Sequence, residues 1–382
     1  MREINAPGQR VPVYAWSSGL GDDVARQLSR IASQPWAALR VAAMADAHMA
    51  DHVAVGTVFA TEHHAVPAAL GGDLGCGVRA VRLPGLAAVA DRDLLARALR
   101  AWGRHIPAGD ALHRGAGAPV PDALFEAPLS TRALEHARLA LARRHLGTLG
   151  GGNHFVELAR AVGGDDAWLL VHSGSRGLGK VVALHHTGAA TADAPGELPA
   201  LDVRTPAGAA YLADLAWALE VARANRALVA ERALDVLGEL TGVAPAEGFD
   251  VHHNYVAREG HDGGAYLVHR KGALRADVGE RGVIPGSMAT ATYLTEGLGH
   301  ALAFRSCSHG AGRVMTRREA RERVDPRALD RQMRRVVHDA SKRASLVEEA
   351  PDAYRDIREV LDDQRDLVRP AGRLEPMLVL KG

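Results

Sequence analysis

Apolar positions recur at helical spacing in two stretches, "GDDVARQLSRIASQPW" (21–36) and "YLADLAWALEVARANRALVAERALDVLGELTG" (211–242), and Gly242 closes the second as a C-cap. Short aliphatic runs that end in glycine or polar turns predict strands instead: "AWLLVHSG" (167–174), "AYLVHRKG" (265–272) and "RGVIPGSM" (281–288). Residues 105–130 and 189–206 are rich in Pro, Gly and Ala and read as loops or lids. No fixed-period repeat is present. The alternation of strand and helix is irregular and spells neither a Rossmann nor a barrel pattern.

With 382 residues and 47% hydrophobic content the chain can bury a large core. No stretch of eighteen apolar residues occurs, and "REINAPGQRVPVYAW" lacks the apolar segment of a secretory signal, so a cytoplasmic protein without a membrane partner is expected. Two cysteines, Cys76 and Cys307, cannot form a disulfide framework for this length. The net charge of +1 names no partner, yet Arg313 to Arg343 holds eleven Lys or Arg against five acidic residues. That run reads either as a solvated helical face or as a track for a phosphate backbone.

Five segments share one construction, in which Asp, His, Asn or Cys follows or precedes a strand-like run among glycines. They are "DLGCGV" (73–78), "LGGGNHFVEL" (149–158), "VHSGSRGLG" (171–179), "DVHHNYV" (250–256) and "SCSHGAGRVM" (306–315). Glycine there permits positive φ and close approach of a ligand. Thiolate, imidazole and carboxylate together suit Mn, Fe, Zn or Co better than Mg, and Asp73, Cys76, His154, His172 and His253 would supply them. No close-spaced zinc pattern is present, which favours a catalytic site assembled from distant segments. His309, between small residues and ahead of Arg313, suits a nucleophile beside an anion binder, whereas Cys307 is expected to pack near it rather than ligate metal. "GGGNH" and "IPGSMATAT" (284–292) offer amides for phosphates, but neither these nor "GSRGLGK" matches a P-loop.

These motifs, with "MADAH" (44–48), "RKGA" (270–273), "EEAPDAYRDI" (348–357) and the terminal "VLKG", resemble the RtcB family of RNA-splicing ligases over nearly the whole chain. The resemblance implies a single α+β domain over 1–382, with mixed β-sheets framing a deep metal-binding cleft and helices outside. It implies two Mn2+ ions bridged by Cys76, one completed by Asp73 and His154 and the other by His172 and His253. His309 matches the family's histidine that takes GMP from GTP, and so becomes the expected catalytic residue. Nucleotide contacts are implied for Asn153, His154, Phe155, Val156, Glu157, His253, Asn254, Pro285, Gly286, Ser287, Met288, Thr292, Gly310, Ala311, Gly312 and Lys381.

The reaction so implied joins an RNA 3′-phosphate or 2′,3′-cyclic phosphate end to a 5′-hydroxyl, in RNA repair or tRNA splicing, with an archease-like activator as a further partner. The chain departs from the family in "MADAHMADHVAVGTVF" (44–59), where the usual glycines after Asp-x-His are missing and Asp51 and His52 stand nearby. His269 occupies a position where a hydroxyl residue is common, and the chain is shorter than many members. These departures motivate an alternative, a metal-dependent RNA phosphodiesterase or cyclic phosphatase that no longer ligates.

Overall fold

The run Ala167–Ser173 is buried at every position, the pattern of a strand covered on both faces rather than one alternating between core and water. Its odd residues Ala167, Leu169 and Val171 enter one apolar cluster, and Trp168 and Leu170 enter another on the opposite face. In the computed structural model, which describes residues 1–115, 117–192 and 194–382, this strand lies inside a seven-stranded antiparallel sheet. The sheet order is Gly248–His252, Gly77–Leu83, Ala167–Ser173, Phe155–Ala161, Val368–Lys381, Thr292–Gly297 and Arg281–Ile284. A six-stranded sheet orders Arg2–Ile4, Val13–Ala15, Ala38–His48, Val55–Thr61, Gly264–Lys271 and Asn254–His261, with one parallel pair between the second and third. The architecture is mixed α+β.

Helices flank the sheets, and the longest, Pro206–Thr241, is enclosed on more than one side. Its first half joins Tyr211, Leu215 and Val221 to one cluster, and its second half joins Val229, Ala233 and Leu237 to the cluster under the seven-stranded sheet. The helix begins five residues before the predicted stretch because Pro206 opens it and the Thr205 side chain accepts from Gly208 N. Gly242 ends it with φ 71°, as a left-handed cap requires. The other predicted helix closes early, at Ala32, and the strand predicted over 281–288 stops at Ile284, leaving Pro285–Met288 as a loop. Within the predicted loops lie a short helix, Asp122–Glu126, and a short strand, Leu201–Asp202; residues 116 and 193 of those loops are outside the described residues. Among the described residues no helix is long and apolar enough to cross a membrane.

His269 is stacked on Phe59, with ring centroids 4.4 Å apart. Its Nδ1 faces Leu267 O at 3.2 Å and its Nε2 accepts from Val66 N at 3.1 Å, so burial keeps the ring neutral and its pKa falls to about 3. The departure at this position is therefore a satisfied core histidine.

The sheet tolerates no side chain at Gly77, where an added Cβ would lie 1.9 Å from Val251 O. Gly77→Ala is expected to lose ~1–3 kcal/mol in denaturant unfolding through overpacking. Gly260→Ala, whose methyl meets nothing nearer than 4.0 Å, should stay within ~0.5 kcal/mol of the parent.

Candidate metal centre

Antiparallel register brings the polar residues to one end of the seven-stranded sheet. Gly77 opens its strand opposite Ser173 and His252, which close theirs. Phe155 opens another opposite His172 and Lys381. Cys76, His154, His172, His253 and Lys381 consequently lie within one residue of a strand end on the same edge of the sheet. Glycines make the turns possible: Gly75 has φ 69°, and a Cβ at Gly174 would meet Asp73 Oδ1 at 2.0 Å.

The Cys76 sulfur lies 3.4 Å from His154 Nε2 and 3.3 Å from His172 Nε2. Asp73 Oδ2 is 3.1 Å from His154 Nε2, and His253 Nε2 is 3.0 Å from His172 Nε2. Two ligand sets result, Asp73–Cys76–His154 and Cys76–His172–His253, each with donor atoms within 4.8 Å of one another, and Cys76 belongs to both. The rings are aimed from behind. His154 Nδ1 faces Leu149 O at 3.0 Å and His172 Nδ1 faces Asn153 O at 3.2 Å, which commits the Nδ1 protons to carbonyls and leaves Nε2 lone pairs toward the sulfur.

Burial pushes the pKa of His172 and His253 well below the ordinary value, so both present neutral imidazole. Burial, and then the Asp73 charge, pushes the Cys76 thiol up. Burial also works against the Asp73 carboxylate, but His154 and the other polar neighbours outweigh it and hold its pKa down. One thiol, three imidazoles and a carboxylate in such proximity fit divalent transition-metal ions, with a cation supplying the charge that converts thiol to thiolate.

His309 faces this centre, its ring centroid 4.6 Å from that of His253. It follows the strand Ser306–Ser308, which pairs with Ala273–Arg275, and Ala273 N donates to His253 O. On its other side Asp46 Oδ2 lies 2.7 Å from His309 Nδ1 and accepts from the backbone N–H of His309 and Gly310. The ring is too poorly aligned for a strong bond, since Nδ1 and the buried Asp46 Oδ1 have no well-formed hydrogen bond. Gly312, at φ 72°, packs where a Cβ would meet Asp46 O at 2.3 Å. Cys307 is buried and its thiol meets Ser308 O, away from both ligand sets.

A cavity of about 880 Å³ opens beside the centre. Asn153, Phe155, Glu157, Pro285–Met288, Gly310–Gly312 and Lys381 line it together with His172 and His309. Five expected nucleotide residues do not line it: His154 and His253, which belong to the ligand sets, and Val156, Thr292 and Asn254. The Val156 side chain is fully enclosed in the core cluster under the sheet, because alternation along Phe155–Ala161 turns it from the cavity. Thr292 is buried, 3.5 Å from Glu157 Oε1. Asn254 turns its amide nitrogen into the metal loop, donating to Leu70 O and Asp73 O. At one end of the cavity Lys381 Nζ sits 3.3 Å from Glu349 and above the Phe155 ring. Burial pushes Glu157 up to about 8 despite Lys381.

Asp46, His48, Glu349, Tyr354 and Arg355 belong to this surface or support it, and residue patterns alone had given them no role. Asp46 carried a signal: a carboxylate inside Ala38–His48, flanked by the buried apolar residues Val41–Ala45 and Ala47. In the departing 44–59 segment, Met49 lines the cavity, while Asp51 and His52 are exposed. Much of the basic run is paired: Arg313, Arg317 and Arg321 meet Glu348 or Glu349, Arg331 meets Asp325, and Arg343 meets Asp330.

A family model described as tRNA-splicing ligase RtcB matches residues 27–382. The chain is 34% identical to the RNA-splicing ligase RtcB of Escherichia coli K12, over 98% of each chain. It is 31% identical to the RNA-splicing ligase RtcB of Mycobacterium tuberculosis, over 93% of this chain and 100% of that one. A tRNA-splicing ligase RtcB from Archaeoglobus fulgidus is 29% identical over 98% and 95% respectively.

Because His172 and His253 are already neutral and Cys76 is a thiol, cation uptake should release the Cys76 proton. Mn2+ affinity is expected to rise about tenfold per pH unit between roughly pH 6 and 8, read by calorimetry in buffers of different ionisation enthalpy. Cys76→Ala should lower that slope. Glu157 holds a proton in the folded chain that the unfolded chain has released, so folding weakens as pH rises from the ordinary 4.5 to about 8 and is level above. Relative to Glu157→Gln, the parent should therefore lose stability across that window in ligand-free unfolding titrations.

Proposed function

Since the chain belongs to the RtcB family, we propose that it is an RNA ligase, and that it uses GTP and two Mn2+ ions to join RNA 3′-phosphate or 2′,3′-cyclic phosphate ends to 5′-hydroxyl ends. The observation that carries the reading is one sulfur shared by two ligand sets, with the His309 imidazole against the second. Asp73, Cys76 and His154 would hold one cation, and Cys76, His172 and His253 the other. Paired divalent cations, when bound, neutralise phosphate oxygens and make a bound water acidic enough to open a cyclic phosphate. We take the whole of residues 1–382 as one catalytic domain.

His309 is the nucleophile in this reading. With Nδ1 set against the Asp46 carboxylate, Nε2 offers its lone pair to the α-phosphorus of GTP. The N–P bond forms as the P–O bond to pyrophosphate breaks, and Asp46 stabilises the positive charge gained by the ring. An RNA 3′-phosphate oxygen then takes the GMP and restores the imidazole. The 5′-hydroxyl oxygen displaces GMP from that activated end to make the phosphodiester.

Protonated at neutral pH, Glu157 can both donate and accept toward a base edge, next to Lys381 and the Phe155 ring. Gly286 and Gly310 line the same cavity, where phosphates can approach without side-chain obstruction. Arg313 and Arg317 also line it and supply positive charge for an RNA end, only partly offset by Glu349.

Incubation with α-labelled GTP and Mn2+ is expected to give an acid-labile adduct that maps to His309 and is absent from His309→Ala. Asp46→Asn should slow its formation ~100-fold or more, the scale of a lost electrostatic partner to a developing charge. Hydrolysis of cyclic ends without GTP and without joining would replace the ligase reading with the phosphodiesterase.

A further inference from the structure

Halfway along the Pro206–Thr241 helix stand two adjacent polar residues, Asn225 and Arg226, both 0% exposed. Burying an amide and a guanidinium is unfavourable unless every polar atom finds a partner, and apolar residues of similar volume would fill such space without that cost. Nearby on the helix Val221, Val229, Ala230 and Ala233 do so.

The partners of this pair belong to the segments that carry the metal ligands. Arg226 Nη1 donates to Gly75 O at 2.8 Å and Ser173 O at 2.9 Å, the residues beside Cys76 and His172. Its Nε and Nη2 bind the Asp250 carboxylate at 2.9 and 2.5 Å, and Nη2 lies 3.1 Å from His252 Nδ1, next to His253. Asn225 Oδ1 accepts from Gly147 N at 2.8 Å. Its Nδ2 lies 3.1 Å from Thr148 O, 3.0 Å from Ser173 Oγ and 3.2 Å from Gly174 O. Ser173 Oγ in turn donates to Leu149 O, the carbonyl that orients the His154 ring. All four ligand-bearing segments therefore meet at two consecutive side chains of one helix.

We infer that Asn225 and Arg226 are positioning residues that fix the spacing of the two ligand sets, and so decide whether the Cys76 sulfur is shared by both cations. Neither lines the cavity, and neither supplies a ligand. Their effect runs through Gly75, Ser173, Asp250 and Leu149 to the ligands themselves. The inference rests on the two-cation reading proposed above.

Mn2+ titration of the full chain, followed by calorimetry and electron paramagnetic resonance, tests it without GTP or RNA. Arg226→Lys keeps the charge but cannot reach Gly75, Ser173 and Asp250 together. Asn225→Asp keeps the acceptor for Gly147 and loses the amide donor, and Asn225→Ser is a milder step. Each is expected to weaken the second ion about 10- to 100-fold, the usual effect of removing support behind metal ligands. The spin-coupled signal of a bridged pair should give way to that of isolated ions. Val229→Ala, which opens a cavity on the same helix, should lower the melting temperature and leave both metal readouts alone. The inference is overturned if any folded variant of Asn225 or Arg226 keeps the coupled signal and the parent affinity within about twofold. It is equally overturned if Val229→Ala weakens Mn2+ as much at matched loss of stability. A parent chain that takes up no Mn2+ would remove the two-cation reading itself, a result distinct from either.

Discussion

Everything at the cleft depends on a sulfur atom held between two imidazole nitrogens at 3.3 and 3.4 Å inside a buried site. Without cations that arrangement crowds lone pairs, and the protein resists ionising the thiol there. The fold sustains it because His172 sits in a strand and Cys76, His154 and His253 each stand one residue from a strand end, and a register slip would force the side chains of Ala167–Ser173 from one packed core cluster into the other. The chemistry of the site and the stability of the sheet are thus one constraint.

Two layers of support back that sulfur. The nearer one is backbone: carbonyls of Leu149 and Asn153 set the tautomers of His154 and His172. Behind it a single helix crosses beneath the strand ends, and its polar midpoint gathers the segments that contribute ligands. His309 is positioned by the two-stranded sheet and the Asp46 carboxylate, and that sheet is tied to the metal-ligating wall by the bond from Ala273 N to His253 O.

Much of this was legible in the residues. Polar groups set among glycines at the ends of aliphatic runs marked the segments that converge, because glycine at such positions reflects a backbone too tight for a Cβ, as at Gly77 and Gly174. Periodicity found the long helix and missed its start, which a threonine cap and a proline decide. It singled out neither Asn225 nor Arg226, since a buried polar residue in a helix takes its meaning from partners far away in sequence. Asp46 was visible as an acid within a largely apolar strand, but its role depends on His309, which follows a strand of a different sheet. Charge counting along 313–343 overstated the free cations, because Glu348 and Glu349 come from a later segment. Val156 follows Phe155 in sequence and yet faces the opposite side of the strand.

The order of strands in the seven-stranded sheet has a bearing on how the molecule is made. Val368–Lys381 lies between Phe155–Ala161 and Thr292–Gly297, so a four-strand part and a two-strand part of the sheet each end on an outer member whose partner is the last strand to be synthesised. Until that segment arrives the nascent chain carries an open hydrogen-bonding edge beside a largely apolar surface, a state prone to pairing with the wrong neighbour.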